Sequence, residues 1–173
     1  MKALHVAVVV ALASALSPAA ASAQTLGDTK PSLADQKFLK EAAGGGAAEV
    51  RLGRLALDKA ASSEVKQFAQ RIVDDHGKAN EQLKAAVAAQ GVSVSAEMPA
   101  DARKSYERLS KLSGDAFDRA YVQDMVKDHR KDVTLFEDQA RNGRDPALKQ
   151  FAQATLPTLQ EHLQMAERLA RGR

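Results

Sequence analysis

The chain has four histidines and no cysteine. His5 lies in an apolar N-terminal stretch. The other three, His76, His129 and His162, are far apart in sequence, and each falls on the apolar stripe of a different helical segment. The stripe of the remaining long helical segment carries Glu49. Imidazole is the commonest protein ligand for transition metals, and without thiolates a metal here must be held by nitrogen and oxygen. Glu49, His76, His129 and His162 therefore form a candidate mononuclear site, with one metal-competent group per helix. Three imidazoles and a carboxylate suit Zn, Cu, Fe or Mn, and the residue types do not choose among them. A single histidine on an apolar stripe is ordinarily a satisfied core residue. Four polar groups in one layer are harder to dismiss, because each buried group without a partner costs about 1–3 kcal/mol. The layer must be satisfied by a shared ion or by mutual hydrogen bonds that fix helix register.

A ring of carboxylates would orient such imidazoles. Asp132 lies one turn from His129 and is the natural candidate. Asp75 and Asp128, each immediately before a histidine, are further candidates, although, like Glu161 before His162, they point about 100° away from that neighbour and so lean towards the surface. A di-iron centre needs Glu-x-x-His pairs. The residues three before the histidines are Val73, Val126 and Leu159, so that chemistry is not expected. No G-x-S-x-G nucleophile motif is present either, and access to four ligands in a bundle core would be poor. The expectation is therefore a binding protein for one ion rather than an enzyme.

The positioning elements are legible from period and caps. The first helix runs roughly over 33–61, with Ser32 and Asp35 as a capping box and small residues Ala42, Gly46, Gly53, Ala56 and Ala60 on the stripe around Glu49. The run Gly44-Gly45-Gly46 predicts a bend or tight packing. The second helix spans about 64–90, with Ser63 as N-cap and Gly91 as the stop. A long connection, 91–113, contains Pro99 and a short helix over about 100–112. The third bundle helix spans about 115–141. The fourth opens on Asp145 as N-cap with Pro146 at its first position, and Pro157 inside it predicts a bend before His162. All four candidate ligands lie near the middle of their helices, so at ~1.5 Å rise per residue they come roughly level. This holds whether the third helix runs parallel or antiparallel to the second.

Residues 1–23 read as a secretory leader: Lys2, an apolar run to Leu16, Pro18, and Ala21-Ser22-Ala23 before a cleavage point ahead of Gln24. The apolar run is too short for a comfortable membrane span. Residues 24–31 are a polar lead-in, and 32–173 form one domain. The expected location is the periplasm or outside the cell. The formal net charge is only +3, with lysines and arginines scattered among acids. That excludes the basic stripe of a nucleic-acid binder. Without cysteine in an exported protein, the core alone must hold the fold.

Three stretches carry a family resemblance: EAAGGGAAEVRLGRLALDKAASSEVKQFAQRIVDDH (41–76), LSGDAFDRAYVQDMVKDH (112–129) and LPTLQEHLQMAERL (156–169). They resemble the DUF4142 family of exported bacterial proteins, assigned to the ferritin-like superfamily. The resemblance covers essentially the whole mature chain. It implies an all-α, ferritin-like four-helix bundle in which 91–113 is the crossover, with a short extra helix. It implies no activity. Members are often described as outer membrane proteins, but no alternating strand pattern is present to build a barrel. The functional expectation is an exported metal-binding bundle for storage, buffering or sensing. The alternative is a non-catalytic envelope stress or interaction protein whose His/Glu layer is structural only.

Overall fold

In a computed structural model, residues 31–172 are described. The leader and most of the lead-in expected from the sequence lie outside them. Five helices follow in order: α1 Leu33–Lys59, α2 Ser63–Ala88, α3 Ala100–Ser110, α4 Gly114–Asn142 and α5 Pro146–Arg171. Among the described residues there is no strand.

Local chemistry sets the helix starts. Ser32 Oγ accepts from the Asp35 backbone N–H, while the Asp35 carboxylate accepts from the Ser32 backbone N–H, completing the expected capping box. Asp145 accepts from the Leu148 N–H at 2.9 Å, with Pro146 in the first turn. The α2 cap differs from the expectation by one residue. Ser62 accepts from the Val65 N–H, and Ser63 is the first helical residue. With two serines in succession, both offer the hydroxyl a cap needs, and the tie of the preceding turn to α4 selects the first. Gly91, after α2, and Gly114, the first residue of α4, take φ of +63° and +59°, which residues with a Cβ avoid.

Two buried aspartates fix the topology. Asp118, in the first turns of α4, accepts from the backbone N–H groups of Ala61 and Ser62 at 3.2 and 2.9 Å. The start of α4 therefore sits at the α1–α2 turn. Asp35, at the start of α1, accepts from Gln139 Nε2 at 2.8 Å and from the N–H groups of Arg144 and Asp145 at 3.1 and 3.2 Å. The α4–α5 turn therefore sits at the opposite end. Helix α4 runs antiparallel to α1 and parallel to α2, the arrangement of a ferritin-like bundle with one long crossover. Helices α1 and α2 pack as one pair, α4 and α5 as the other, with α2 against α5 and α1 against α4. The crossover spans the length of the bundle and lays α3 on α1 and α4.

The glycine run makes this possible by tight packing, not by a bend, since α1 is one unbroken helix through it. A Cβ on Gly44 would lie 3.0 Å from the Glu97 carbonyl and 3.3 Å from the Pro99 ring, both in the crossover. A Cβ on Gly46 would strike the Asn80 amide of α2.

The core has two parts. One, near the α1–α2 turn, holds Leu52, Val65, Phe68, Ile72, Phe117, Tyr121 and Met125. The other, near the α4–α5 turn, holds Phe38, Leu83, Val87, Phe136, Leu148, Phe151 and Leu159. Burying each of the larger side chains contributes about 1.5–3 kcal/mol. The histidines occupy the layer between the two parts.

Candidate metal centre

His76 on α2, His129 on α4 and His162 on α5 are all buried. Their ring centroids stand 5.5, 5.5 and 5.3 Å apart. One ring nitrogen from each lies within 4.8 Å of the others. The sequence stripe put each ring on the inward face. The nearly equal distances of the rings from the ends of their helices put them level.

The proton positions follow from what each ring touches. His129 Nδ1 is 3.0 Å from the Met125 carbonyl oxygen. A carbonyl only accepts, so Nδ1 carries the hydrogen and Nε2 of the neutral ring carries a lone pair. His162 Nε2 is 2.9 Å from an Asp75 carboxylate oxygen. That nitrogen donates, and the lone pair of His162 is on Nδ1. These two lone-pair nitrogens, His129 Nε2 and His162 Nδ1, face each other at 3.3 Å. Only a shared cation, a proton or a metal ion, makes such a contact favourable.

A proton is a poor candidate near neutral pH. Burial, then the adjacent His162 ring, push His129 down to about 3. Burial, then His129 and His162, hold His76 well below the ordinary imidazole range. His162 is also lowered by burial, although the Asp75 hydrogen bond works against the shift. His76 Nε2 is buried and has no hydrogen-bond partner. Three neutral imidazoles thus converge, two with lone pairs that face each other and the third, His76, with an unpartnered Nε2. With metal–nitrogen bonds of about 2.0–2.1 Å, ligand nitrogens around one ion stand about 3.3–3.6 Å apart. The His129–His162 pair already has this spacing.

Glu49 reaches the same layer but not the same point. It is 3% exposed. Its Oε1 is 4.0 Å from His129 Nδ1, the protonated edge of that ring, and its Oε2 has no partner. It is not among the three groups that converge. Burial, then Asp132, Asp128 and Asp124, raise its carboxyl well above the usual range.

The surrounding carboxylates also sort themselves. Asp75 orients an imidazole, but that of His162 on α5 rather than its chain neighbour His76. The 100° offset from His76 that suggested a surface group instead aims Asp75 at the adjoining helix. Arg71 also holds it, with Nε 3.3 Å from the same carboxylate oxygen. Asp128 and Asp132 make no hydrogen bond to a ring. They line, with Glu49, a cavity of about 520 Å³ beneath α3. Burial, then Asp128, push Asp132 up to about 7, and burial raises Asp128 too. Tyr121 and Met125 are core residues of the apolar part beside the layer. Among the described residues, no helix is long and apolar enough to cross a membrane.

Several solved structures share this architecture. A DUF305 fragment from Deinococcus radiodurans superposes with a TM-score of 0.71 at 17% identity, over 83% of this chain and 99% of that one. CopM in its Cu(II)-bound form gives 0.68 at 17% identity, over 80% and 96%. CopM in its Cu(I)-bound form gives 0.67 at 17% identity, also over 80% and 96%. At such identities the likeness is one of fold. No curated protein matches the sequence. The model of a domain of unknown function, DUF4142, matches residues 17–169, so the chain belongs to the DUF4142 family.

Proposed function

We propose that this protein is an exported, non-enzymatic metal-binding bundle. It takes up one soft or borderline transition-metal ion on His76 Nε2, His129 Nε2 and His162 Nδ1, for storage or buffering. The observation that carries this reading is the 3.3 Å approach of two lone-pair nitrogens beside a third that has no partner. A layer whose only task was to fix helix register would be expected to close its own hydrogen bonds. This one leaves two lone-pair nitrogens facing each other and His76 Nε2 unpartnered in a buried layer, at the free-energy cost attached to unsatisfied buried groups.

Of the ions that imidazole suits, Cu(I) fits best. It accepts three neutral nitrogens without a further ligand. As a monovalent ion it also brings less charge into the apolar layer than a divalent one, and charge burial is costly. That CopM, a protein of similar fold, has been solved with copper supports the same choice. The leader-like residues 1–23 support export.

The test is elemental analysis of untagged protein purified from the periplasm without chelator, beside a His76→Ala/His129→Ala double variant. Near-stoichiometric copper in the wild type and none in the variant is the expected result. A wild type that stays empty after incubation with Cu(I), Zn and Fe would overturn the proposal and favour a structural layer in an interaction protein.

A further inference from the structure

The edge of His162 that faces away from the other rings connects the buried layer to the surface. Its Nε2 donates to Asp75 Oδ2 at 2.9 Å. The same oxygen accepts from Arg71 Nε at 3.3 Å, so it is divided between an imidazole and a guanidinium. The outer end of that guanidinium, Nη2, is 2.5 Å from Glu161 Oε2 on α5. Helical spacing accounts for the arrangement. Arg71 and Asp75 lie four apart on α2 and share a face. Glu161 precedes His162, and the 100° between neighbours turns it outward while the ring points in. The side chains of Arg71 and Glu161 are about half exposed, that of Asp75 about one-third, and that of His162 is fully buried. A chain of charged groups therefore runs from solvent to one ring of the site.

Exposed ion pairs of this kind contribute little to stability. Their charges nevertheless reach the ring. Burial does most to lower the pKa of His162, and the Asp75 contact works against it; Arg71 then lowers it further and Glu161 raises it. The neighbouring ring is held differently, since His129 donates to the neutral Met125 carbonyl. Arg71 is a permanent positive charge, separated from an ion on the imidazoles by one carboxylate and one ring. Its repulsion scales with the charge of that ion, so a divalent ion loses twice the free energy that a monovalent one does.

We infer that Arg71 is a specificity-determining residue that biases the three-imidazole site toward a monovalent ion, and that Glu161 limits the bias by holding the outer edge of the guanidinium. The inference rests on the metal-binding reading above. Loss of the Arg71 charge removes the repulsion and leaves Asp75 free to polarise His162, so every ion gains and divalent ions gain most. Loss of the Glu161 charge leaves the guanidinium uncompensated and acts in the opposite sense.

The experiment measures Cu(I) and Zn²⁺ affinities of the mature protein by competition with a chromogenic chelator for each ion. Four proteins are compared: wild type, Arg71→Gln, Arg71→Lys and Glu161→Gln. Arg71→Gln is expected to bind Cu(I) about two- to fivefold more tightly and Zn²⁺ about four- to 25-fold more tightly. Both gains should shrink in high salt, as those of exposed charges do. Arg71→Lys keeps the charge and should keep the wild-type preference, and Glu161→Gln should move the preference further toward Cu(I). All these changes are at exposed side chains, so the fold is expected to survive them. An unchanged preference in Arg71→Gln, including no Zn²⁺ binding by either protein, overturns the inference. So does an Arg71→Lys variant that behaves like Arg71→Gln, because the role of Arg71 would then be one of shape. These failures leave metal binding itself intact, whereas a wild type that binds neither ion removes the metal-binding reading and this inference with it.

Discussion

At the scale of single residues, the site is governed by where two protons sit. The Met125 carbonyl takes the hydrogen of His129 Nδ1, and the Asp75 carboxylate takes that of His162 Nε2. Each contact turns a lone pair toward the same point. Asp75 has a further role, because its negative charge makes the His162 ring a stronger electron donor to a bound ion. Asp75→Asn keeps an acceptor but removes the charge, so the ring stays oriented while its basicity falls. The expected outcome is unchanged copper stoichiometry with affinity lowered about 10- to 100-fold, read by competition with a chromogenic Cu(I) chelator. Unchanged affinity would mean that Arg71, which contacts the same carboxylate, already neutralises it. The three histidines were legible in the sequence because helical period alone places them inward. Asp75 was legible as a candidate from its place beside His76, but the ring it orients, that of His162, was not, because that depends on which helix lies beside α2. Glu49 was legible as inward-facing, but its side chain meets the protonated edge of His129, a distinction of a few ångströms that periodicity does not carry.

At the scale of elements, the small residues of α1 decide how closely its neighbours approach. Gly53 and Gly45 lie two turns apart and make a controlled comparison. A Cβ on Gly53 would stand 2.8 Å from Val73 Cγ2 and 3.1 Å from the Ala69 carbonyl on α2, and the carbonyl cannot move without shifting the helix. A Cβ on Gly45 would meet nothing within 4 Å. Alanine favours a helix interior over glycine by about 1 kcal/mol. Gly45→Ala is therefore expected to stabilise the protein by about 0.5–1 kcal/mol, and Gly53→Ala to destabilise it by about 1–3 kcal/mol through overpacking. Urea denaturation of the two variants checks both signs at once. Equal effects would mean that the α1–α2 spacing is not set at Gly53. Helix existence, the capping box and the short helix in the crossover were all readable from periodicity and cap chemistry. The direction of α4 was not readable from period, because ligands at mid-helix come level in either sense. It is set by Asp35 and Asp118, whose partners are backbone N–H groups at turns distant in sequence. Side-chain type does not announce such partners.

At the scale of the whole molecule, the groups of the central layer and its flank pull on stability in opposite directions as pH changes. The buried histidines have lowered pKa values, so below the ordinary value of 6.5 the unfolded chain binds protons that the folded one does not, and stability falls as pH falls. Asp35 acts in the same sense at lower pH. Burial raises its pKa, but the hydrogen bonds from Ser32, Gln139, Asp145 and Arg144 outweigh that, so its contribution is present above about pH 4 and is lost on acidification. Asp132 has the opposite sign. Its carboxyl is raised from 3.8 to about 7, so between these values the folded protein holds a proton that the unfolded chain has released. In the metal-free protein this makes stability fall as pH rises through that window and level off above about 7. Asparagine at this position has nothing to ionise and keeps the shape. Asp132→Asn should therefore match the wild type near pH 4 and become progressively more stable than it up to about pH 7. One pKa unit corresponds to about 1.4 kcal/mol. Because the side chain is half-buried and partly screened by water, the gain at pH 8 is discounted to about 1–2 kcal/mol. That is roughly 2–8 °C in Tm. Melting curves from pH 4 to 8 in the presence of a chelator measure it. A variant no more stable than the wild type at pH 8 would mean that burial and the neighbouring Asp128 do not hold the Asp132 carboxyl above its ordinary range in the folded protein.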